Sequence, residues 1–274
     1  MKISIVMTHW NRKIQLYRTL VTISRLYDSY DYEVIVVDDC SDENNKIKEF
    51  ESFPNVKVIE ISKEEKGDRV NPSVPYNIGF ENVTGDIIMI QNAENLHMWD
   101  MFEIALSEIS NDNYLVFGCY RLDENCTNML NDIDFINDDF PKHVSNIITP
   151  INMIPAEGGN WQQSFNRNAW YTHSEVRPKP YHFCSVITKE NLIDKLGGFD
   201  ERYSEGSSYD DDELVVRIKR MGLDFKIINE PFVIHQYHSY PSTTHSDYMW
   251  KRNKHIFETK TLKEDTCRAK VTRL

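Results

Sequence analysis

The chain has 274 residues, 40% of them hydrophobic and 27% charged, and its formal net charge is -12. This length is sufficient for one large α/β domain or two small ones. The acidic balance and the lack of a long basic stretch argue against nucleic acid as the main partner, because phosphate binding needs clustered Lys and Arg. No apolar run approaches the roughly 20 residues that a membrane-spanning helix requires.

The cysteines and the N-terminus bear on the cellular compartment. Five cysteines are scattered without CxxC spacing, which favours free thiols in a reducing environment over a disulfide framework or a zinc site. The apolar N-terminal run ends at Thr8; it is too short for a targeting segment and indicates a buried first strand. The sequence therefore predicts a cytoplasmic protein.

Strand and helix patterns alternate along the first 120 residues. Apolar runs predict strands at 3–8, 32–37, 56–61, 87–90 and 114–119, and helical spacing predicts helices at 12–27, 74–83 and 98–109. Such alternation predicts an α/β fold with a mostly parallel, Rossmann-like sheet and helices on both faces. In such sheets, ligands bind beyond the carboxyl ends of the strands.

The second half of the chain is less regular. Residues 121–180 lose periodicity and are rich in Asn, Asp and Pro, which is typical of a long functional loop. Regular patterns return as strands at 182–187, 225–228 and 232–236 and as helices at 189–196 and from 211 onward. The tail from Ser242 is polar, and Trp250, Ile256 and Phe257 are its candidate docking residues.

Polar residues follow three of the predicted strands, at 8–11, 38–41 and 92–94. In the last cluster, a buried strand delivers Asn92 and Glu94 two residues apart, so both can face one ligand. A carboxylate at this point can hold a hard divalent cation through oxygen, and the cation can bridge two phosphates. The alternative interpretation is an ordinary loop, in which such polar residues are common.

Two further features carry candidate chemistry. Four acids at 210–213 precede a helical pattern; a carboxylate held there can serve as a general base, although acids at a helix start also suit the helix dipole. His235 emerges from an apolar strand pattern and can ligate a metal through a neutral imidazole nitrogen. The alternative for a lone histidine is a structural role.

Six segments, in order, resemble glycosyltransferase family 2 on the GT-A fold. They are Ile5–Arg12 (an opening strand ending in N-R), Val36–Asp42 (V-D-D-x-S-x-D), Tyr76–Gly79 with Gly85–Ile87 (R-N-x-G…G-E-Y), Asn92–Glu94 (D-x-D), Leu196–Glu201 (GGFDE) and Asp210–Arg217 (E-D-x-D-L…R). The resemblance covers about residues 3–240. Its last segment also resembles the C-terminal region of galactosyltransferases.

The sequence departs from the family pattern at the metal motif and at the acidic helix. Asn92 replaces the first Asp of D-x-D and Glu94 replaces the second, while Asp210 stands where Glu is usual. Glu94 keeps a carboxylate for a metal. Asn92 removes one charge, and the resemblance therefore implies that it hydrogen-bonds the ribose or the donor sugar.

The resemblance also implies roles for single residues. The donor-binding side chains are Thr8 and Trp10 at the base, Asp38 and Asp39 at the base and ribose, Arg69 at the phosphates, and Asn77 and Asn92. Glu94 and His235 would ligate Mn²⁺ or Mg²⁺, with His238 as the alternative imidazole. The acceptor-binding side chains are Asp210, Asp212 and the aromatic Trp161.

The predicted activity is inverting transfer of a sugar from a nucleoside diphosphate donor, with uridine as the first candidate base, to a glycan or other hydroxyl acceptor. Asp211 would act as the general base, and its acidic neighbours should raise its pKa by like-charge repulsion. The expected organisation is one domain over 1–240, with a nucleotide-binding half at 1–120 and an acceptor and catalytic half at 121–240, followed by a packed tail at 241–274.

Two other functions fit the same sequence. A non-catalytic nucleotide-sugar-binding protein is favoured by Asn92, which weakens the metal motif. A sugar nucleotidyltransferase shares a Rossmann-like frame but usually has a Gly-rich phosphate loop near the N-terminus, and residues 8–11 contain no glycine.

Overall fold

A computed structural model describes residues 1–148, 183–239 and 246–271. Trp161, the expected acceptor-binding aromatic, lies outside these residues. The strands within the described part are β1 (Ile3–His9), β2 (Tyr32–Asp38), β3 (Val56–Glu60), β4 (Ile87–Gln91), β5 (Asn95–His97), β6 (Asn113–Arg121), β7 (Cys184–Thr188) and β8 (Asp224–His235). The α-helices there are α1 (Lys13–Leu26), α2 (Lys63–Lys66), α3 (Ser73–Phe80), α4 (Phe102–Glu108), α5 (Glu124–Met129), α6 (Phe140–Ile148), α7 (Asp210–Arg220) and α8 (Asp247–Ile256).

The strands form a single sheet in the order β3-β2-β1-β4-β7-β6-β8-β5. β1 to β4 are mutually parallel, and β6 and β8 run in the same direction, whereas β7 and β5 are antiparallel to their neighbours. The predicted mostly parallel α/β sheet is therefore confirmed. Continuous apolar strands such as 34–37 are buried on both faces, as parallel sheets covered by helices require.

Helices cover both faces of the central strands. Because successive strand residues point to opposite faces, Ile5 belongs to a core cluster with Leu16 of α1, while Val6 belongs to another with Tyr76 of α3. Gly79 allows α3 to approach the sheet closely, since a Cβ there would lie 2.5 Å from Val6 Cγ1. The N-terminal half of the sheet is thus a rigid support for the loops at its edge.

Three elements differ from the sequence-based expectation. The segment that follows residue 121 was expected to be irregular, but it contains α5 and α6, whose apolar side chains form a third core cluster. α5 has only six residues, too few to show a clear helical period. The strands expected at 225–228 and 232–236 form one continuous β8, with an irregularity in register opposite Gly118.

Among the described helices, none is both long and apolar enough to cross a membrane.

The C-terminal segment 246–271 braces the loop that leads into α7. Asn253 of α8 is fully buried, and its Nδ2 donates to the carbonyl oxygens of Tyr203 at 3.0 Å and Ser208 at 2.9 Å. Ser208 and Tyr209 have φ of 63° and 70°, a left-handed conformation that costs about 1–3 kcal/mol for each non-glycine residue. The brace therefore holds a strained turn directly before Asp210.

Replacing Asn253 with alanine should destabilise the protein. The change leaves the Tyr203 and Ser208 carbonyls without their buried donor, and each such loss costs about 1–3 kcal/mol. We expect the free energy of unfolding, measured by urea denaturation, to fall by about 2–4 kcal/mol. Asn44→Ala, at an exposed asparagine, should change it by less than about 0.5 kcal/mol; equal effects of the two variants would contradict the bracing role.

Candidate active site

A cavity of about 470 Å³ opens at the edge of the sheet where β1, β2 and β4 end. This volume lies within the range typical of small-molecule sites. Its walls include residues from the ends of those strands, the end of β8 and the start of α7. The cavity therefore lies beyond the carboxyl ends of parallel strands, where α/β sheets bind ligands.

Glu94 lies at one wall of the cavity and is almost wholly buried. Antiparallel pairing of β5 with β8 places Asn95 opposite His235, which brings Glu94 to the end of β8. Glu94 Oε1 lies 3.1 Å from Nε2 of both His235 and His238. Nη1 of Arg12 donates to the two carboxylate oxygens of Glu94 at 2.8 and 3.0 Å.

The ionisation of this cluster suits metal binding. Burial acts to raise the pKa of Glu94, but the Arg12 guanidinium and the two imidazoles outweigh it and hold that pKa well below its usual value. Burial lowers the pKa of His235. The lowered value favours the neutral imidazole, which is the form that ligates metals.

The residues present fit a divalent cation. One ligand atom from each of Glu94, His235 and His238 lies within 4.8 Å of the other two. Separations of about 3 Å are expected between adjacent ligands of one ion with bonds of about 2.1 Å. A carboxylate with two imidazoles suits Mn²⁺ better than Mg²⁺, because Mg²⁺ prefers oxygen ligands throughout.

Asp211 lies at the start of α7 and lines the same cavity. Desolvation raises its pKa well above the usual value, and the charges of Asp210 and Asp212 raise it further. The sequence-based expectation named like-charge repulsion alone; burial, which depends on the tertiary structure, is the larger cause. Asp210 accepts a hydrogen bond from Nδ2 of Asn71 at 2.8 Å, which fixes the start of the helix.

A basic and aromatic group forms another part of the cavity wall. Lys66 Nζ donates to Asp39 Oδ2 at 2.7 Å and lies 5.0 Å from the centre of the Trp10 ring. Arg69 also lines the cavity, and its Nε and Nη2 are buried without a hydrogen-bond partner among the described residues, as is Asp39 Oδ1. Buried polar groups without partners are costly, so these atoms point to a polar ligand.

Most of the sequence-predicted residues within the described part converge on this cavity. The ones that line it are Thr8, Trp10, Asp39, Arg69, Asn92, Glu94, Asp210, Asp211, His235 and His238. Asp38 and Asp212 do not belong to the described lining. Asp38 Oδ1 instead accepts the backbone N–H of Ser41 at 3.0 Å, which closes the turn after β2.

Asn77, an expected donor contact, contacts the segment around Phe199 instead of the described cavity lining. Its Nδ2 donates to the carbonyl oxygen of Phe199 at 2.8 Å and to Glu201 Oε1 at 3.0 Å, and its Oδ1 accepts the N–H of Phe199 at 2.8 Å. The side chain is buried in these contacts, outside the described lining of the cavity. Asn77 therefore holds the Gly-Gly-Phe-Asp-Glu turn in place.

Sequence reasoning missed several residues of the site. Arg12 and Lys66 add positive charge to that of Arg69, and Tyr76 and Phe183 add aromatic surface. Arg12 follows the first polar strand end, which was a usable signal. Tyr76 begins one of the segments that resemble the family. Lys66 and Phe183 gave no comparable signal, because their approach to the cavity depends on how helices and strands pack.

Comparison with known proteins identifies the family. Residues 4–166, more than half of the chain, match the family described as Glycosyl transferase family 2. The chain is 27% identical over 132 residues to the poly(ribitol-phosphate) beta-N-acetylglucosaminyltransferase TarP of Staphylococcus aureus, covering 44% of this chain and 37% of TarP. It is 24% identical over 246 residues to the chondroitin synthase of Escherichia coli, covering 85% of this chain and 34% of the synthase.

Solved structures show the same fold at low sequence identity. S. aureus TarS 1–349 in complex with UDP-GlcNAc has a TM-score of 0.60 at 13% identity, covering 90% of this chain and 61% of that one. The mannosyltransferase PcManGT from Pyrobaculum calidifontis, in complex with GDP-Man and Mn²⁺, has a TM-score of 0.52 at 16% identity, with coverages of 88% and 57%. These similarities confirm the predicted GT-A fold.

The chain spans only about a third of the length of the curated relatives described above. The family match nevertheless extends from β1 through the cavity-forming ends of β1, β2 and β4 and includes Glu94. On this match, the chain belongs to glycosyl transferase family 2.

Proposed function

We propose that the chain transfers a sugar, with inversion, from a nucleoside diphosphate sugar to a hydroxyl group of an acceptor. The observation that carries the proposal is the convergence on one cavity of the Glu94–His235–His238 cluster, the base candidate Asp211 and the partly unpartnered Arg69. Uridine is the first candidate base, in keeping with the neighbour that binds UDP-GlcNAc.

The donor is proposed to lie between Trp10 and the Glu94 cluster. Trp10 packs against the base, and Asp39 accepts hydrogen bonds from the ribose hydroxyls through its unpartnered Oδ1. Arg69 has buried N–H groups in a planar array that matches phosphate oxygens. Thr8 and Asn92 complete the polar lining on this side.

Glu94, His235 and His238 are proposed to hold Mn²⁺. When bound, the ion supplies Lewis-acid stabilisation of the negative charge that develops on the leaving diphosphate. The chain's own contribution is to keep the ligand atoms together in a buried position, with Glu94 ionised and His235 neutral. Arg69 adds positive charge beside the same diphosphate.

Asp211 is proposed to accept the proton of the acceptor hydroxyl as that oxygen attacks the anomeric carbon. Its raised pKa strengthens it as a base. Attack on the face opposite the leaving diphosphate inverts the configuration at the anomeric carbon. Asp210 and the outlying Trp161 remain proposed acceptor contacts, while Asp212 is proposed to act on the charge of Asp211.

Thermal unfolding with nucleotides tests the proposal directly. We expect UDP with Mn²⁺ to raise Tm more than GDP with Mn²⁺ or UDP alone, because ligands that bind the folded state stabilise it. Metal-dependent hydrolysis of a UDP-sugar should then distinguish an enzyme from a binding protein, and NMR of the transfer product should show inversion. A protein stabilised by neither UDP nor GDP, with Mn²⁺ present, would contradict the proposal.

The pH dependence of transfer should report the environment of Asp211. The charges of Asp210 and Asp212 raise the pKa of Asp211. The charge of Asp211 in turn raises the pKa of Tyr114 of β6. Because only the deprotonated base is active, kcat should fall as the pH drops through the raised pKa of Asp211. Asp212→Asn removes one neighbouring negative charge and should move this acidic limb down by about 0.5 pH unit.

The control for this measurement is Asp224→Asn, at an exposed carboxylate that begins β8. Its pH profile should match that of the unaltered protein. An acidic limb that does not move in Asp212→Asn would show that another group controls the profile.

A further inference from the structure

Arg12 uses the carboxylate that the proposed metal site needs. Glu94 Oε1 is contacted by Arg12 Nη1 at 2.8 Å and by Nε2 of both His235 and His238 at 3.1 Å. Glu94 Oε2 is also contacted by Arg12, at 3.0 Å. A carboxylate oxygen has two lone pairs, and Oε1, the oxygen nearest both imidazoles, has three nitrogens around it. Ligation of a cation by Glu94 therefore competes with the guanidinium.

The side chain of Arg12 is placed to move, whereas its backbone is not. The side chain of the preceding Asn11 donates to Asp42 Oδ2 at 2.9 Å and accepts the backbone N–H of Asp42 at 2.8 Å. The backbone N–H of Asn11 donates to Ser41 Oγ at 3.0 Å. The Arg12 side chain, by contrast, is 24% exposed and faces the cavity. Rotation about its side-chain bonds alone can break the hydrogen bonds between the guanidinium and Glu94.

A diphosphate in the cavity offers Arg12 an alternative partner. Guanidinium groups bind phosphate oxygens through paired N–H donors, and a nucleoside diphosphate carries more negative charge than one carboxylate. Once the guanidinium has moved, Glu94 Oε1 has one nitrogen contact fewer, and the guanidinium charge no longer repels a cation beside the two imidazoles. The same movement adds a second cation, with Arg69, at the diphosphate.

We propose that Arg12 is a switch that suppresses metal binding at Glu94, His235 and His238 until a nucleoside diphosphate draws its guanidinium away. This inference rests on the proposed function. It makes the binding of metal and donor strongly cooperative, and the cooperativity must be reciprocal. An enzyme of this kind takes up Mn²⁺ together with its donor and holds little of it before the donor arrives.

The test is the affinity for Mn²⁺ of the full chain, measured by calorimetry without nucleotide and with saturating UDP. In the unaltered protein, UDP should strengthen Mn²⁺ binding by about 10-fold or more. Arg12→Gln should bind Mn²⁺ without nucleotide about 10-fold more tightly than the unaltered protein, and UDP should add much less. Arg268→Gln, at an exposed arginine, should behave like the unaltered protein.

Two further results separate failure of the switch from failure of the site. A folded Arg12→Gln protein, verified by thermal unfolding, that binds Mn²⁺ no more tightly than the unaltered protein would overturn the switch while leaving the UDP-dependent metal site intact. If UDP binds but Mn²⁺ does not bind even with UDP, both the switch and the proposed metal site are wrong. Glu94→Gln should abolish the Mn²⁺ signal in either background, which assigns that signal to this site.

Discussion

Asp211→Asn is expected to lower kcat for sugar transfer by about 10³-fold, within the range that general bases contribute. Asparagine has the size of aspartate and can still accept the N–H of Asp212, which Asp211 Oδ1 now accepts at 2.9 Å. However, it cannot accept a proton from the acceptor hydroxyl. The affinity for the donor, measured by calorimetry with UDP and Mn²⁺, should change little, because the proposed donor contacts lie elsewhere in the cavity.

The same variant should be more stable than the unaltered protein at neutral pH. The pKa of Asp211 is raised in the folded state, so the folded protein binds this proton more tightly than the unfolded chain. The stability contributed by that proton is present at low pH and is lost as the pH rises through the folded pKa. Asparagine removes this loss, and Tm above that pH should rise.

Higher Tm with lost activity would separate a catalytic defect from unfolding. Asp212→Asn is the matched control, because it makes the same chemical change one residue away, outside the described lining of the cavity. It should retain most of the activity. If Asp211→Asn kept more than a few per cent of kcat, Asp211 would not be the base.

Glu94→Ala has the second large expected effect, on metal-dependent donor binding. It removes the carboxylate shared by the two imidazoles and leaves Arg12 free to bind phosphates. We therefore expect the difference in UDP affinity with and without Mn²⁺ to disappear, and kcat/KM for transfer to fall by about 10²-fold or more. Calorimetry with UDP, in Mn²⁺ and then in a chelator, measures the first effect.

Glu103→Ala is the control for this experiment, because Glu103 is an exposed glutamate on α4. It should leave the metal dependence unchanged. A Glu94→Ala protein whose UDP affinity still responds to Mn²⁺ would place the metal elsewhere. Asn92→Asp is a complementary variant, because it restores the acidic residue that the family pattern has at this position.

Much of the fold was accessible from local pattern. The apolar runs at β1, β2, β4 and β6 are continuous because both faces of these strands are buried. These four strands and the half-exposed β3 were predicted to within two residues. The pattern failed where elements are short: β5 has three residues and α5 has six. An element of that length shows less than two helical turns, so periodicity cannot identify it.

The candidate site was also predictable from the sequence only in part. Its residue types at strand ends and at the acidic helix start could be found in order along the chain, because parallel strands bring their carboxyl ends to one edge. Asn77 matched a family segment as well as any of them, yet its amide is committed to Phe199 and Glu201. Sequence alone does not show whether a polar side chain faces the cavity or is hydrogen-bonded within the protein.

The sequence by itself determined an acidic α/β protein. It also showed, in order along the chain, the motifs, candidate carboxylates and candidate histidines that resemble those of a family 2 glycosyltransferase. Only the tertiary structure decided that Glu94 meets His235, His238 and Arg12, because that meeting depends on the register between β5 and β8, more than a hundred residues apart. It also decided the desolvation of Asp211, since the solvent that a carboxylate loses is removed by residues distant in the chain.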